Sequence, residues 1–279
     1  MWLAAVPAPS AAQAPGEDSA VIDPACQREC LLGHLRRHME ALRAALSPFV
    51  GCDPHGLAYE GHGYPVRSIY LDTPSLRDYH EKQAGIKVRR KLRIRCYDLK
   101  SDDDPVFFEI KRKQEDQIGK DRVLVRYRDI DAFLRTGDVE RYVLSSDPKM
   151  HDKARHFLFH VHGYRMRPTS LTVYEREAFA GRFDPTLRIT FDRNLRGKVF
   201  PVWEDLRREE GLQHIHPGFF VLEVKFNTRF PAWLTPVLGR YGLRTQSVSK
   251  YCLCLETGGR DVERPNPFTF GACYRTSST

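Results

Sequence analysis

Apolar residues along this chain alternate between two rhythms. Leu35, Met39, Leu42 and Leu46 are spaced four, three, four, which predicts a helix that Pro48 ends. "PVRSIYLDT" (65–73) then runs at period two and predicts a strand stopped by Pro74. "SLRDYHEKQAG" predicts a short helix closed by Gly85. In "GIKVRRKLRIRCYD" the odd positions Lys87, Arg89, Lys91, Arg93 and Arg95 are all basic, while Val88, Leu92 and Ile94 between them are apolar. "VFFEIKRKQ" sets Phe107, Glu109, Lys111 and Lys113 against Phe108 and Ile110, and "KDRVLVRY" puts Lys120, Arg122 and Arg126 on even positions. Two helices follow: the short "DIDAFLRTG", and one around 151–163 with Ala154, Phe157, Leu158 and Val161 at helical spacing.

Strands resume after Pro168. "SLTVYEREAFA" has Tyr174 and Arg176 on one face, and "TLRITFDRN" has Arg188, Thr190 and Asp192 opposite Leu187, Ile189 and Phe191. "FFVLEVKFN" has Glu223 and Lys225 opposite Leu222, Val224 and Phe226. A helix is predicted from Pro231 to about Tyr241, and "SVSKYCLCLE" is the last element. The stretch "ACQRECLL" (25–32) fits either a first strand or the start of a helix. Residues 1–24 read as a flexible leader and 259–279 as an irregular tail, leaving 25–258 as the folded domain.

Successive side chains of a strand point to opposite faces, so each of these strands has a charged side and an apolar side. One such strand is an ordinary solvated sheet face. Six of them, rich in Arg and Lys with an occasional Glu or Asp, read differently. Adjacent cations on one strand face repel each other unless an anion offsets them. Closing the sheet into a barrel gathers the charged faces into one lumen, removes the edges and leaves the apolar faces outward, under the helices. The expected fold is therefore α+β: an eight-stranded antiparallel β-barrel with flanking helices. Such a lumen suits a polyanion, with Arg binding phosphate oxygens bidentately and Lys acting as a point charge. Glu109, Asp192 and Glu223 each share a face with a basic residue, and magnesium or manganese takes carboxylate and phosphate oxygens together. Those three are the metal candidates; pairing with neighbouring cations is the alternative role for each.

The formal charge of +8 agrees with an anionic partner without saying which. Hydrophobic content of 41% supports a core. No run of 18 apolar residues is present, so no membrane span is expected. The seven cysteines are scattered, and Cys252-x-Cys254 and Cys26-x3-Cys30 lack zinc-site partners, which suggests reduced thiols in a cytoplasmic protein. "AQA" resembles a signal cleavage site, but no basic residue precedes the apolar stretch and Pro7 and Pro9 break it.

"SIYLDT", "KLRIRCYD", "FFEIKRK", "GKDRV", "VYEREAF", "LRITFDRN", "LEVKF" and "SVSKYC", in this order across residues 25–256, resemble the VTC domain. That is the polyphosphate polymerase branch of the triphosphate tunnel metalloenzymes. The resemblance implies a barrel enclosing a phosphate tunnel and transfer of the ATP γ-phosphate to a growing polyphosphate chain, with manganese or magnesium. It implies that Arg93 and Arg95 grip nucleotide phosphates, and that Lys111, Lys120, Arg176, Arg188 and Lys250 are tunnel cations. It makes Glu223 the metal-binding glutamate. Arg89, Lys91, Lys113, Arg122 and Lys225 are the further cations expected to face substrate. The first strand departs from the family: a tunnel lysine is expected there, and Glu29 stands near its place beside Arg28, which substitutes only if the register slips. The sensor domain and membrane helices of some relatives have no counterpart here, so a free-standing module is expected, of open oligomeric state. Inorganic triphosphate is an alternative substrate, since water in place of the acceptor makes the site a hydrolase.

From a different class, a polyanion-binding module without catalysis is also compatible. Nucleic acid is disfavoured, because the basic faces carry carboxylates and few aromatics. His156 and His160 have the i, i+4 spacing of zinc ligands, but the sequence offers no carboxylate partner, so no metal is assigned there. Ser247 and Ser249 lack a His–Asp context, and Trp203 and Trp233 read as core.

Overall fold

Alternation becomes strand wherever it was expected. A computed structural model describes residues 27–59, 63–114, 117–227, 229–243 and 245–258; the leader and the tail lie outside the described residues. The first stretch resolves as a strand, β1 (Gln27–His34), followed by helix α1 (Leu35–Leu46) and the short β2 (Val50–Cys52). Strand β3 (Gly63–Asp72), helix α2 (Arg77–Gln83) and strands β4 (Arg89–Cys96), β5 (Pro105–Gln114) and β6 (Gln117–Arg126) come next. Because β4 begins at Arg89, Lys87 lies outside it, and the strand carries four of the five cations.

Helices α3 (Ile130–Thr136), α4 (Val139–Tyr142) and α5 (Pro148–Gly163) then cover the sheet. The start of α5 is dictated locally: the Asp147 carboxylate accepts from the Lys149 amide at 2.9 Å, and Pro148 fills the first turn, where a missing N–H costs nothing. Gly137 ends α3 at φ 71°, in the left-handed region where glycine carries no Cβ penalty. Strands β7 (Arg167–Gly181), β8 (Arg188–Val199), β9 (Gln213–His214) and β10 (Phe219–Phe226) and helices α6 (Leu234–Arg240) and α7 (Lys250–Gly258) complete the described chain.

Eight strands form one antiparallel path in the order β1-β10-β8-β7-β3-β4-β5-β6, with β2 added on β7 and β9 on β8. This is the expected antiparallel architecture with flanking helices; among the described residues no ladder joins β6 to β1. On one face Ile69, Leu92, Ile94, Phe108, Ile110 and Val123 pack against Phe133, Phe157 and Leu158 of α3 and α5. Phe108 meets Phe133 and Phe157 edge-on, each at 5.1 Å. Farther along the same face Ile189, Phe191, Leu222 and Val224 pack against Met39, Leu42 and Leu46 of α1 and Leu234 and Leu238 of α6. Each such side chain contributes roughly 1.5–3 kcal/mol by burial. Trp203 and Trp233 sit partly buried against these clusters, as expected.

The other face is also buried, although it is the charged one: Arg95, Glu109, Arg176, Asp192 and Glu223 are all inaccessible or nearly so. A flat sheet would leave that face in water. Here the curvature of the sheet and α7, laid against β7 and β8 on the inner side, enclose it.

Candidate functional site

Register shows that the charged residues share one face, because residues directly opposite in a ladder project to the same side. Across β10, β8, β7, β3, β4 and β5, the pairs Glu223–Thr190, Asp192–Arg176, Arg176–Tyr64, Tyr70–Arg93 and Arg93–Glu109 follow one another on this inner side. Lys111 stands opposite Lys91 and Lys120, Lys113 opposite Arg89, and Lys225 opposite Arg188. Every sequence-predicted site residue of the strands therefore lies on the inner face, and Lys250 reaches it from α7.

The charges gather around two carboxylates. Glu109 is bonded by Arg93 Nε, by Arg122 at 2.6 Å and by Lys120 Nζ at 3.1 Å. Asp192 accepts Arg176 bidentately, Nε to Oδ1 at 2.7 Å and Nη2 to Oδ2 at 2.9 Å, and Lys250 Nζ at 2.6 Å. Burial acts to raise the Asp192 pKa, but Arg176 and Lys250 outweigh it and hold the carboxyl below its usual range. Burial likewise acts to lower Lys250, yet Asp192, Tyr174 and Glu223 raise it on balance, so the ammonium stays charged. Arg93 follows the same logic: desolvation and Arg95 oppose its charge, Glu109, Tyr70 and Tyr174 favour it, and the net direction is up.

Tyrosines join the two groups. Arg95 Nη2 donates to the Tyr174 hydroxyl at 3.2 Å, while Arg176 and Lys250 lie over the Tyr174 ring. Arg93 Nη1 donates to the Tyr70 hydroxyl at 3.3 Å. Burial would raise the Tyr70 phenol, but Arg93, Arg95 and Lys91 together lower it. The inner face thus carries Tyr70, Phe107 and Tyr174, more aromatics than expected; being buried, they offer no platform to a nucleobase in solution. Sequence reasoning placed Tyr174 on the charged face, by its parity with Arg176, but missed the hydroxyl roles of both tyrosines.

Arg188 and Glu223 lie beside these two groups. Arg188 lies 3.4 Å from Asp53, and its three guanidinium nitrogens are buried without a hydrogen-bond partner among the described residues. Glu223 stands 3.9 Å from Arg176 Nη2 and 3.6 Å from Lys225 Nζ. The hydroxyl of Thr190, opposite Glu223, is buried without a hydrogen-bond partner. On the first strand, the register pairs Arg28 with Lys225 and Cys30 with Glu223. Arg28 thus takes the register position of inner-face Lys225 with no slip, and Glu29 that of Val224.

The last element is a helix, α7, and it seals this face. Lys250 reaches Asp192, Ser249 accepts from Lys91 Nζ at 2.7 Å, and the Tyr251 hydroxyl donates to Asp72. Ser247 accepts from Lys82 at 2.8 Å. Asp72 also takes the backbone amides of Thr73, Asp78 and Tyr79, so a single carboxylate ties β3, α2 and α7 together. A Cβ on Gly197 would stand 2.4 Å from Cys254 Sγ and 2.7 Å from Ile215 Cδ1. Gly197→Val is therefore expected to lift α7, to lower unfolding free energy by ~1–3 kcal/mol, and to weaken triphosphate binding through loss of Lys250. Unchanged thermal unfolding and unchanged titration would contradict this.

A family model described as the VTC domain matches residues 26–257. Among curated proteins, Vacuolar transporter chaperone complex subunit 4 of Trypanosoma brucei brucei is 27% identical over 228 residues, 68% of this chain and 28% of that protein. The chain thus spans less than a third of that relative's length. Among solved structures, a Bacillus halodurans protein described as a candidate adenylate cyclase aligns with a TM-score of 0.43 at 11% identity, covering 81% of this chain and 95% of its own. A Hippeastrum protein described as a candidate adenylyl cyclase with dominant triphosphatase activity aligns with a TM-score of 0.44 at 14% identity, covering 85% and 97%.

Proposed function

The chain belongs to the VTC domain family, and from that premise we propose that it is a metal-dependent phosphotransferase moving the ATP γ-phosphate onto a growing polyphosphate chain. What carries the proposal is the enclosed inner face on which Arg93, Arg95, Arg176, Arg188 and Lys250 converge. Desolvated cations bind phosphate oxygens far more strongly than exposed ones. Arg188, whose nitrogens lack hydrogen-bond partners, is the cation readiest to take a phosphate oxygen.

Phosphoryl transfer asks the protein mainly to align donor and acceptor and to neutralise the transferring oxygens. Arg93, Arg95, Lys111 and Arg176 would fix the triphosphate, with Arg188 and Lys250 on its oxygens. The bond from the γ-phosphorus to the bridging oxygen breaks as one forms to the terminal oxygen of phosphate, pyrophosphate or polyphosphate, and ADP departs with the bridging oxygen. That acceptor is already deprotonated, so no general base is needed. Arg89, Lys91, Lys113, Lys120, Arg122 and Lys225 would guide the remaining polyanion.

The donor set suits magnesium or manganese. Glu223 is a buried carboxylate whose strand position faces Thr190 and which lies within 4 Å of Arg176 and Lys225. An ion held by this one carboxylate would be completed by phosphate oxygens and water. Glu109 and Asp192, the other two candidates, would have to exchange short contacts with arginine and lysine for the ion. When bound, the ion would neutralise charge on the transferring phosphate.

Glu223→Gln is expected to abolish metal-dependent turnover while ATP still binds; undiminished turnover would remove Glu223 from the metal role. Arg93→Ala should weaken ATP binding by about 10- to 100-fold, the worth of one charge-assisted contact of roughly 1.5–3 kcal/mol, and wild-type affinity by calorimetry would contradict that. The deciding experiment is incubation with ATP and manganese followed by a gel for long-chain polyphosphate. Long product supports the polymerase, free phosphate alone makes the protein a triphosphatase, and binding without turnover makes it a polyphosphate binder.

A further inference from the structure

Outside the inner face, α5 brings two imidazoles together. His156 Nε2 lies 3.0 Å from His160 Nε2, one helical turn on. The sequence offered this pair no carboxylate, but the fold supplies one: Asp121 of β6 places Oδ2 3.5 Å from His156 Nδ1. Asp121 stands between Lys120 and Arg122 in the strand and so projects to the opposite side of the sheet from them, beneath α5. This group is therefore separate from the phosphate-facing residues.

The spacing is informative. Two nitrogens bound to one ion at about 2.0–2.1 Å lie about 2.9 Å apart in right-angled positions and about 3.3 Å apart in tetrahedral ones. The observed 3.0 Å matches the right-angled case. The ring centroids are only 4.6 Å apart at an interplanar angle of 56°, so the rings meet at an incline rather than end to end. His156 is 35% exposed and leaves room for water ligands, while His160 is buried.

We propose that His156 and His160 chelate a divalent ion of the copper or nickel type, with Asp121 orienting His156. A carboxylate on the far nitrogen of a ligating histidine fixes the tautomer and leaves the near lone pair for the metal. His156 Nδ1–H then points at Asp121, and the proton now shared by the two Nε2 atoms moves to Nδ1 of His160. Arg112 and Arg90 oppose a cation here. Arg112 is held by Asp121 at 2.7 Å, and Arg90 lies over the Tyr164 ring at 4.2 Å. Two protein ligands hold the ion and water completes the shell.

The test adds one equivalent of Cu²⁺ to the full chain and records its electron paramagnetic resonance spectrum. Splitting from two nitrogens is expected. His156→Gln should lose one nitrogen and weaken copper at least tenfold against a competing chelator. Asp121→Asn should keep both nitrogens and weaken copper about tenfold. A two-nitrogen signal that survives His156→Gln, or no copper retained by the full chain, overturns the proposal. Should the variant fail to fold, Ni²⁺ protection of His156 against carbethoxylation in the wild-type chain decides instead: protection supports the site, and unchanged labelling sinks it.

Discussion

Replacing Asp192 by Leu should lower the unfolding free energy by ~3–5 kcal/mol, the usual effect of removing one partner of a buried ion pair. Asp192 is inaccessible and is the shared acceptor of Arg176 and Lys250, so its loss leaves two buried cations uncompensated. Adding Arg176→Met should recover part of the loss, because the two positions act as a unit. Triphosphate should restore stability to Asp192→Leu more than it stabilises wild type, since the ligand then supplies the missing negative charge. Denaturant melts with and without triphosphate check both effects. A variant within 0.5 kcal/mol of wild type would mean that the pair is solvated.

Asp78 should make the protein less stable as pH rises from about 5 to 8. Its carboxyl is buried on α2, and neither oxygen has a hydrogen-bond partner among the described residues. Burial first, then the neighbouring Asp72, push its pKa up to about 8, with Arg90 opposing. In the unfolded chain an aspartate titrates near 3.9. Between those values the folded state holds a proton that the unfolded state has lost, so the contribution is full below the unfolded pKa and disappears as pH climbs through the folded one. The slope is about 1.4 kcal/mol per pH unit at most. Asp78→Asn, which cannot ionise, should flatten the profile. Urea midpoints at pH 5, 6, 7 and 8 for both proteins test this, and parallel profiles would rule it out.

The inner and outer faces were legible because a period of two is a geometric statement about one strand. Glu109, Asp192 and Glu223 could be placed on the charged side from parity alone. What parity cannot tell is which cations a carboxylate engages, since that depends on strand order. Glu109 takes Arg93 from β4 and Lys120 and Arg122 from β6 because β5 lies between them. "ACQRECLL" was ambiguous because a short apolar run has no period; pairing with β10 makes it a strand. The carboxylate beneath His156 was invisible for the same reason: Asp121 is distant in sequence and arrives only with the helix-on-sheet packing.

β1 leaves the ribosome long before its partner. Gln27 pairs with Phe226, about two hundred residues downstream, and contacts so distant in sequence form slowly. Lys250, which neutralises Asp192, and Tyr251, which donates a hydrogen bond to Asp72, emerge later still. The ladder that makes β1 a strand therefore closes only when nearly the whole domain has been synthesised.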